Sequence, residues 1–139
     1  MSLALYDEDP APEPIVPEQV LRTLVAFRSD PIRGRAVILD ADARSAGYAF
    51  LVSFWSNELG GEICTIDELY VQPAWRGRGF ATALIAELQS GRLLRPTRPV
   101  ALELEITPTN TRARALYERL GFSVKRNTTL RLAVPSSTR

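Results

Sequence analysis

Histidine is absent from the 139-residue chain. That absence removes Ser-His-Asp and Cys-His nucleophilic catalysis and every histidine-ligated metal site, and no metal is expected. Cysteine occurs once, at Cys64, so no disulfide can form within the chain. Its thiol sits in an apolar run with no histidine to activate it, and reads as a buried structural group. Lysine also occurs once, at Lys125, so the positive charge is nearly all arginine, which does not titrate usefully. Carboxylates and tyrosines are left to carry any proton transfer. No apolar run approaches the roughly 20 residues of a membrane helix, and no basic residue precedes Arg22, as a signal peptide requires. A cytoplasmic location without membrane contact is therefore expected. The formal net charge of +1 argues against a nucleic-acid partner held by electrostatics. The lone Arg76-Gly77-Arg78-Gly79 run, set between a strand and a helix pattern, is too short to change that.

Hydrophobic residues make up 45% of the chain, enough for a packed core, and the length suits one domain over residues 1–139. The chain is organised around residues 66–88. β-rich residues from Ile63 to Val71 predict a strand, ended by Pro73. Ala81, Leu84, Ile85 and Leu88 follow at i, i+3, i+4, i+7, the spacing of one buried helical face. The glycines between them allow close approach of a ligand to the backbone. The unpaired first N–H groups of a helix, with its dipole, suit an anion such as phosphate. Arg76 and Arg78 would add charge. The loop is neither a P-loop nor a full dinucleotide fingerprint, because the third glycine position holds Thr82.

Residues 1–19 are acidic and proline-rich and read as an extended arm, with Leu3–Tyr6 as a possible short strand. Pro17 and apolar Val20, Leu21, Leu24 and Phe27 predict a helix to about Ser29. Arg35–Leu39 and Gly47–Trp55 read as a hairpin around a polar turn, the second strand being apolar on both faces. Ser90–Pro99 is a loop, Val100–Ile106 a strand, and a helix capped by Thr109 or Asn110 carries Ala113, Leu116, Tyr117 and Leu120 on one face to Gly121. Residues 123–134 predict a last strand.

Two motifs narrow this α/β reading. Arg76-x-x-Gly79-x-Ala81 matches the [QR]-x-x-G-x-[GA] signature of the GNAT superfamily of N-acetyltransferases, and it follows Leu69-Tyr70-Val71-Gln72-Pro73. About thirty residues later, Asn110-x-x-Ala113-x-x-Leu116-Tyr117-Glu118-x-x-Gly121-Phe122 resembles the second motif of that family. The resemblance is clearest over residues 33–132. It implies a mixed α+β GNAT-type fold, with a central, mostly antiparallel sheet flanked by helices and two central strands splayed to admit acetyl-CoA. One clear helix stands before the hairpin where the family places two, in the region that shapes the acceptor pocket.

The resemblance also implies roles. Leu69, Tyr70 and Val71 would offer backbone groups to the pantetheine arm and thioester. Arg76, Gly77, Arg78, Gly79, Phe80, Ala81 and Thr82 would hold the pyrophosphate. Asn110 would touch the cofactor arm or simply cap its helix. Tyr117 would protonate the departing thiolate, unless it is only a core aromatic. The base that takes the proton of the amine would be Glu105 or Asp67, with Glu68 a third candidate pointing to the other face of the strand. The implied activity is acetyl transfer from acetyl-CoA to a primary amine on a small molecule, peptide or protein. The alternative is a GNAT-fold module that binds acyl-CoA with little catalysis. A homodimer is possible, as in many members of the family.

Overall fold

A computed structural model describes residues 1–93 and 98–136 of the chain. Two helices come first, α1 (Ser2–Glu8) and α2 (Pro17–Ser29). Three strands follow, β1 (Gly34–Ala41), β2 (Arg44–Ser56) and β3 (Gly61–Val71). A 3-10 turn at Pro73–Trp75 leads to α3 (Phe80–Ser90), then β4 (Ala101–Leu104) and α4 (Thr111–Arg119). The sheet has the order β1-β2-β3-β4, antiparallel throughout except for the parallel β3–β4 pair. Among the described residues, no helix is long and apolar enough to cross a membrane.

Strand β2 is central and packed on both faces, which explains why it is apolar in both phases of its alternation. Ala49 and Leu51 face α3 with Cys64, Ile66, Leu84, Ile85 and Leu88. Tyr48 and Phe50 face the other way with Tyr70, where Ala4 and Leu5 of α1 and Val20 and Phe27 of α2 cover them. Leu51, Leu88 and Cys64 are the largest fully buried side chains, and each large aliphatic one contributes about 1.5–3 kcal/mol of transfer free energy. Burial pushes the Cys64 thiol up to about 11, so it is a thiol, not a thiolate, at neutral pH.

Strand β3 carries a bulge. Phe50 pairs with Glu68 and Leu51 with Ile66, so Asp67 is the extra residue. A bulge shifts the alternation by one. Cys64 and Ile66 point toward α3, and Leu69 and Val71 rejoin that face after the bulge, while Glu68 and Tyr70 turn toward α1. Were the ladder regular through Asp67, Glu68 would follow Ile66 into the apolar core.

Three expectations are corrected. The segment at Leu3–Tyr6 is helical, not a strand, and lies within α1. Leu5 seats that helix on Tyr48, Phe50 and Tyr70, and Ser2 and Tyr6, one turn apart, both reach Glu68. Two helices therefore precede the hairpin, not one. The last strand does not form. Residues 122–136 have no ladder partner, and Leu130, Leu132 and Val134 are exposed. Their alternation suits a strand, but β propensity acts only through cross-strand and same-face packing, which this segment lacks. Strand β4 is also shorter than expected, ending at Leu104. The middle of the expected Ser90–Pro99 loop, including Pro96, lies outside the described residues.

The β1–β2 turn joins Ala41 to Arg44 through Asp42 and Ala43, which have φ of 49° and 62°. A left-handed non-glycine residue costs roughly 1–2 kcal/mol, and glycine is the usual occupant in a two-residue hairpin. Ala43→Gly should therefore stabilise the protein by up to about 1 kcal/mol, after the backbone entropy cost of glycine is deducted. Urea denaturation measures this, and a loss of stability would contradict the turn geometry.

Candidate active site

Strands β3 and β4 pair for only four residues, Ile63–Ile66 against Ala101–Leu104. Beyond them β3 continues to Val71, while β4 ends and the chain turns at Pro108 toward α4. The two strands part there, and the gap opens into a cleft of about 850 Å³. Leu69, Tyr70 and Val71 line one side. The loop and helix start, with Arg76, Gly77, Gly79, Phe80, Ala81 and Thr82, line it too, as do Asn110, the cap of α4, and Tyr117 within that helix.

Gly77 and Gly79 have φ of 74° and 83°, in the left-handed region that glycine tolerates without strain. A Cβ at either position would meet no atom within 4 Å. The space above the loop is open, and the backbone is bare toward it. Gly79 is the N-cap of α3, so the first-turn N–H groups of that helix are oriented for an acceptor from outside the helix.

The arginines differ from expectation. The Nε of Arg76 donates to the Val71 carbonyl at 2.8 Å, and its Nη2 pairs with Glu8 at 2.7 Å. Its guanidinium also lies 5.5 Å from the centroid of the Tyr70 ring. Arg76 thus clamps the loop to the end of β3 and to α1. Both partners of the ion pair are partly exposed, which limits its net contribution to about 0–1 kcal/mol. Arg78 does not line the cleft; its guanidinium lies 4.9 Å over the ring of Trp75, which does.

Asn110 caps α4, its Oδ1 accepting from the Ala113 N–H at 3.1 Å, while its Nδ2 reaches Asp9 at 3.5 Å. It is at once a cap and a cleft residue. Tyr117 is half-buried, packs edge-on against Phe122 with centroids 5.5 Å apart, and lines the cleft. Burial pushes its phenol above the ordinary value, so it is held protonated.

Neither Asp67 nor Glu105 is among the residues lining the cleft. Asp67 sits on the bulge, and Glu105 is exposed just past the end of β4. The carboxyl of Asp67 is raised, first by loss of solvent, then by the charges of Glu68 and Glu105. The three carboxylates therefore form one electrostatic group at the point where the strands part. Glu68 is buried under α1, accepting from Tyr6 and Tyr48 at 2.6 Å each.

Sequence reasoning missed Leu5, Glu8 and Asp9, which bring α1 into the cleft wall. Asp9 accepts from Thr107 at 2.9 Å. Their signal was helical spacing, i, i+3, i+4, hidden by the prolines that follow. Arg112 and Arg119 of α4 also line the cleft. Among the described residues there is no group of three or more His, Cys, Asp or Glu suited to a metal ion.

The sequence model of the acetyltransferase (GNAT) family matches residues 3–122. Comparison with curated proteins returns no match. Solved structures similar to the chain include a possible acetyltransferase from Clostridium difficile, 17% identical with a TM-score of 0.79 over 96% of this chain and 87% of that one. An integron cassette protein from the mobile metagenome of Cole Harbour Salt Marsh is 24% identical, with a TM-score of 0.73 over 98% and 83%. An aminoglycoside N-acetyltransferase in complex with CoA is 21% identical, with a TM-score of 0.59 over 86% and 97%. At these identities the structures speak to the fold.

The raised carboxyl of Asp67 has a stability consequence. Between its unfolded and folded pKa values the native state binds more protons, so this group contributes less stability as pH rises through that window. Asp67→Asn should therefore raise the melting temperature at pH 7 and lose that advantage in mild acid. Melts at both pH values check this; a lower melting temperature at pH 7 would show Asp67 to be a favourable structural charge.

Proposed function

The chain belongs to the acetyltransferase (GNAT) family, whose members are acyl-CoA-dependent N-acyltransferases, and from that premise we propose that it transfers an acetyl group from acetyl-CoA to a primary amine by direct attack within a ternary complex. The observation that carries this reading is the cleft where β3 and β4 part, floored by two left-handed glycines at the mouth of α3. That bare backbone fits a polyphosphate, and the slot beside Leu69, Tyr70 and Val71 fits an extended arm ending in a thioester. Acetyl-CoA, when bound, supplies the activated acyl group.

The residues of the chain then divide the work. Gly77, Gly79 and the first turn of α3 take the phosphates through N–H groups. Arg112 and Arg119, which line the cleft, carry the positive charge that Arg76, committed to Val71 and Glu8, does not. A backbone N–H near Leu69 or Val71 stabilises the oxyanion. The amine nitrogen forms its bond to the carbonyl carbon as the C–S bond breaks. Asp67 or Glu105, neither of which lines the cleft, accepts the amine proton through water, which is worth about 10² to 10⁴ in rate. Tyr117 gives its proton to the departing thiolate. Raised by loss of solvent and then by the charges of Glu68 and Glu105, Asp67 is a stronger proton acceptor than an ordinary carboxylate. The proposal places the chain in the cytoplasm, acting on an amine-bearing small molecule, peptide or protein.

A thermal melt with acetyl-CoA tests the reading. Ligand at about 100 times Kd should add roughly 2.7 kcal/mol, a shift of several degrees for a domain of this size. Gly79→Asp should abolish the shift, because it places a charge in the open space above the loop. With a competent amine, Tyr117→Phe should lower kcat by about 10² or more while leaving acetyl-CoA affinity nearly intact. No shift at millimolar acetyl-CoA would remove the proposal.

A further inference from the structure

Glu68 is the one charged side chain that is buried among the described residues, at 8% exposure. Among the described residues no ion pair neutralises it. Hydroxyls occupy both of its oxygens instead. Oε1 accepts from Tyr6 at 2.6 Å; Oε2 accepts from Tyr48 at 2.6 Å and from Ser2 at 3.3 Å. A buried carboxylate persists only where such donors replace its water. Burial and the bond to Glu68 hold the Tyr6 and Tyr48 phenols well above their ordinary value, so both stay donors.

Two of the three donors, Ser2 and Tyr6, belong to α1. At seven residues this helix is too short to be stable alone; it exists by docking. Its C-terminal end, with Leu5, Glu8 and the following Asp9, walls the cleft. At the tip, Glu8 reaches Arg76 and Asp9 reaches Thr107 and Asn110, all in part-exposed contacts. The root is the buried hydroxyl cage. We propose that Glu68 is a positioning residue for the acceptor side of the cleft, holding α1 so that Leu5, Glu8 and Asp9 form the wall that the incoming amine meets. This rests on the acyl-transfer reading above. Arg76 neutralises Glu8, but Asp9 accepts only from the neutral Thr107 and Asn110, and among the described residues no cation pairs with it; that charge in the wall suits an ammonium-bearing acceptor rather than a polyphosphate. With both oxygens engaged, Glu68 is also not the free base that its neighbour Asp67 offers.

The test separates positioning from proton transfer and from mere stability. Glu68→Gln keeps the shape, a carbonyl oxygen for Tyr48 and Ser2, and an amide that can donate to the Tyr6 oxygen. Its kcat should stay within about threefold of wild type, whereas a general base would lose about 10² or more. Glu68→Ala should raise the acceptor KM by about tenfold or more, with acetyl-CoA Kd changed by less than about threefold. Hydrogen exchange of residues 2–8 should rise in parallel. If Glu68→Ala does not fold, Tyr6→Phe, which removes one donor and keeps the ring, should show the same KM-selective effect and the same rise in exchange, both smaller. Loss of kcat in Glu68→Gln equal to that in Glu68→Ala would make Glu68 the base and overturn the proposal. A lower melting temperature with the acceptor KM unchanged would overturn it too. If the wild type binds no acetyl-CoA, the acyl-transfer reading fails by itself, and the exchange of α1 in the same variants still decides whether Glu68 anchors the helix.

Discussion

The structure depends on how briefly β3 and β4 hydrogen-bond. Four residue pairs hold them together, and then the bulge at Asp67 and the end of β4 let them part. Had the ladder continued to Val71, backbone groups of β3 would be satisfied by a neighbour, and no slot would exist between strands. Because it stops, the last five residues of β3 keep an unpaired edge inside the fold, where an edge is normally a liability. The loop at Gly77 and Gly79 and the start of α3 lie at the mouth of that slot, and α4 closes its far side.

The bulge has a second effect, on charge. By advancing the alternation one residue, it sends Glu68 under α1 and leaves Asp67 exposed, within the field of Glu68 and Glu105. Two adjacent carboxylates thereby take different environments. One is caged by three hydroxyls and ties down a helix; the other lies at the surface, repelled by like charge. Such a division by environment is how a fold assigns different work to chemically similar groups.

Much of this was legible in the sequence, and the reasons differ by residue. The β3–α3 unit was readable because Pro73, the glycines and the Ala81–Leu88 periodicity are local signals. The contribution of Asn110 to the α4 cap was readable for the same reason. Helix α1 was not, since its stability comes from contacts with residues more than sixty positions away, and the prolines after it suggested an extended arm. The engagement of Arg76 by Glu8 and Val71 was equally hidden, because a motif states which residue occurs and not what it touches. The segment 123–134 shows the converse. Its alternation is real, but alternation specifies a strand only where a partner strand is present.

The long separation between α1 and Glu68 also sets an order of events. The β1–β2–β3 meander closes short loops, while the parallel β3–β4 pair must wait for α3 to cross over, and the hydroxyl cage joins residues 62 and 66 positions apart. Loop-closure entropy makes such distant pairings late. A refolding chain is therefore expected to regain its β1–β2–β3 meander before α1 docks on Glu68 and the cleft closes around it. The cleft is thus the part of the molecule whose formation waits on the rest of the fold.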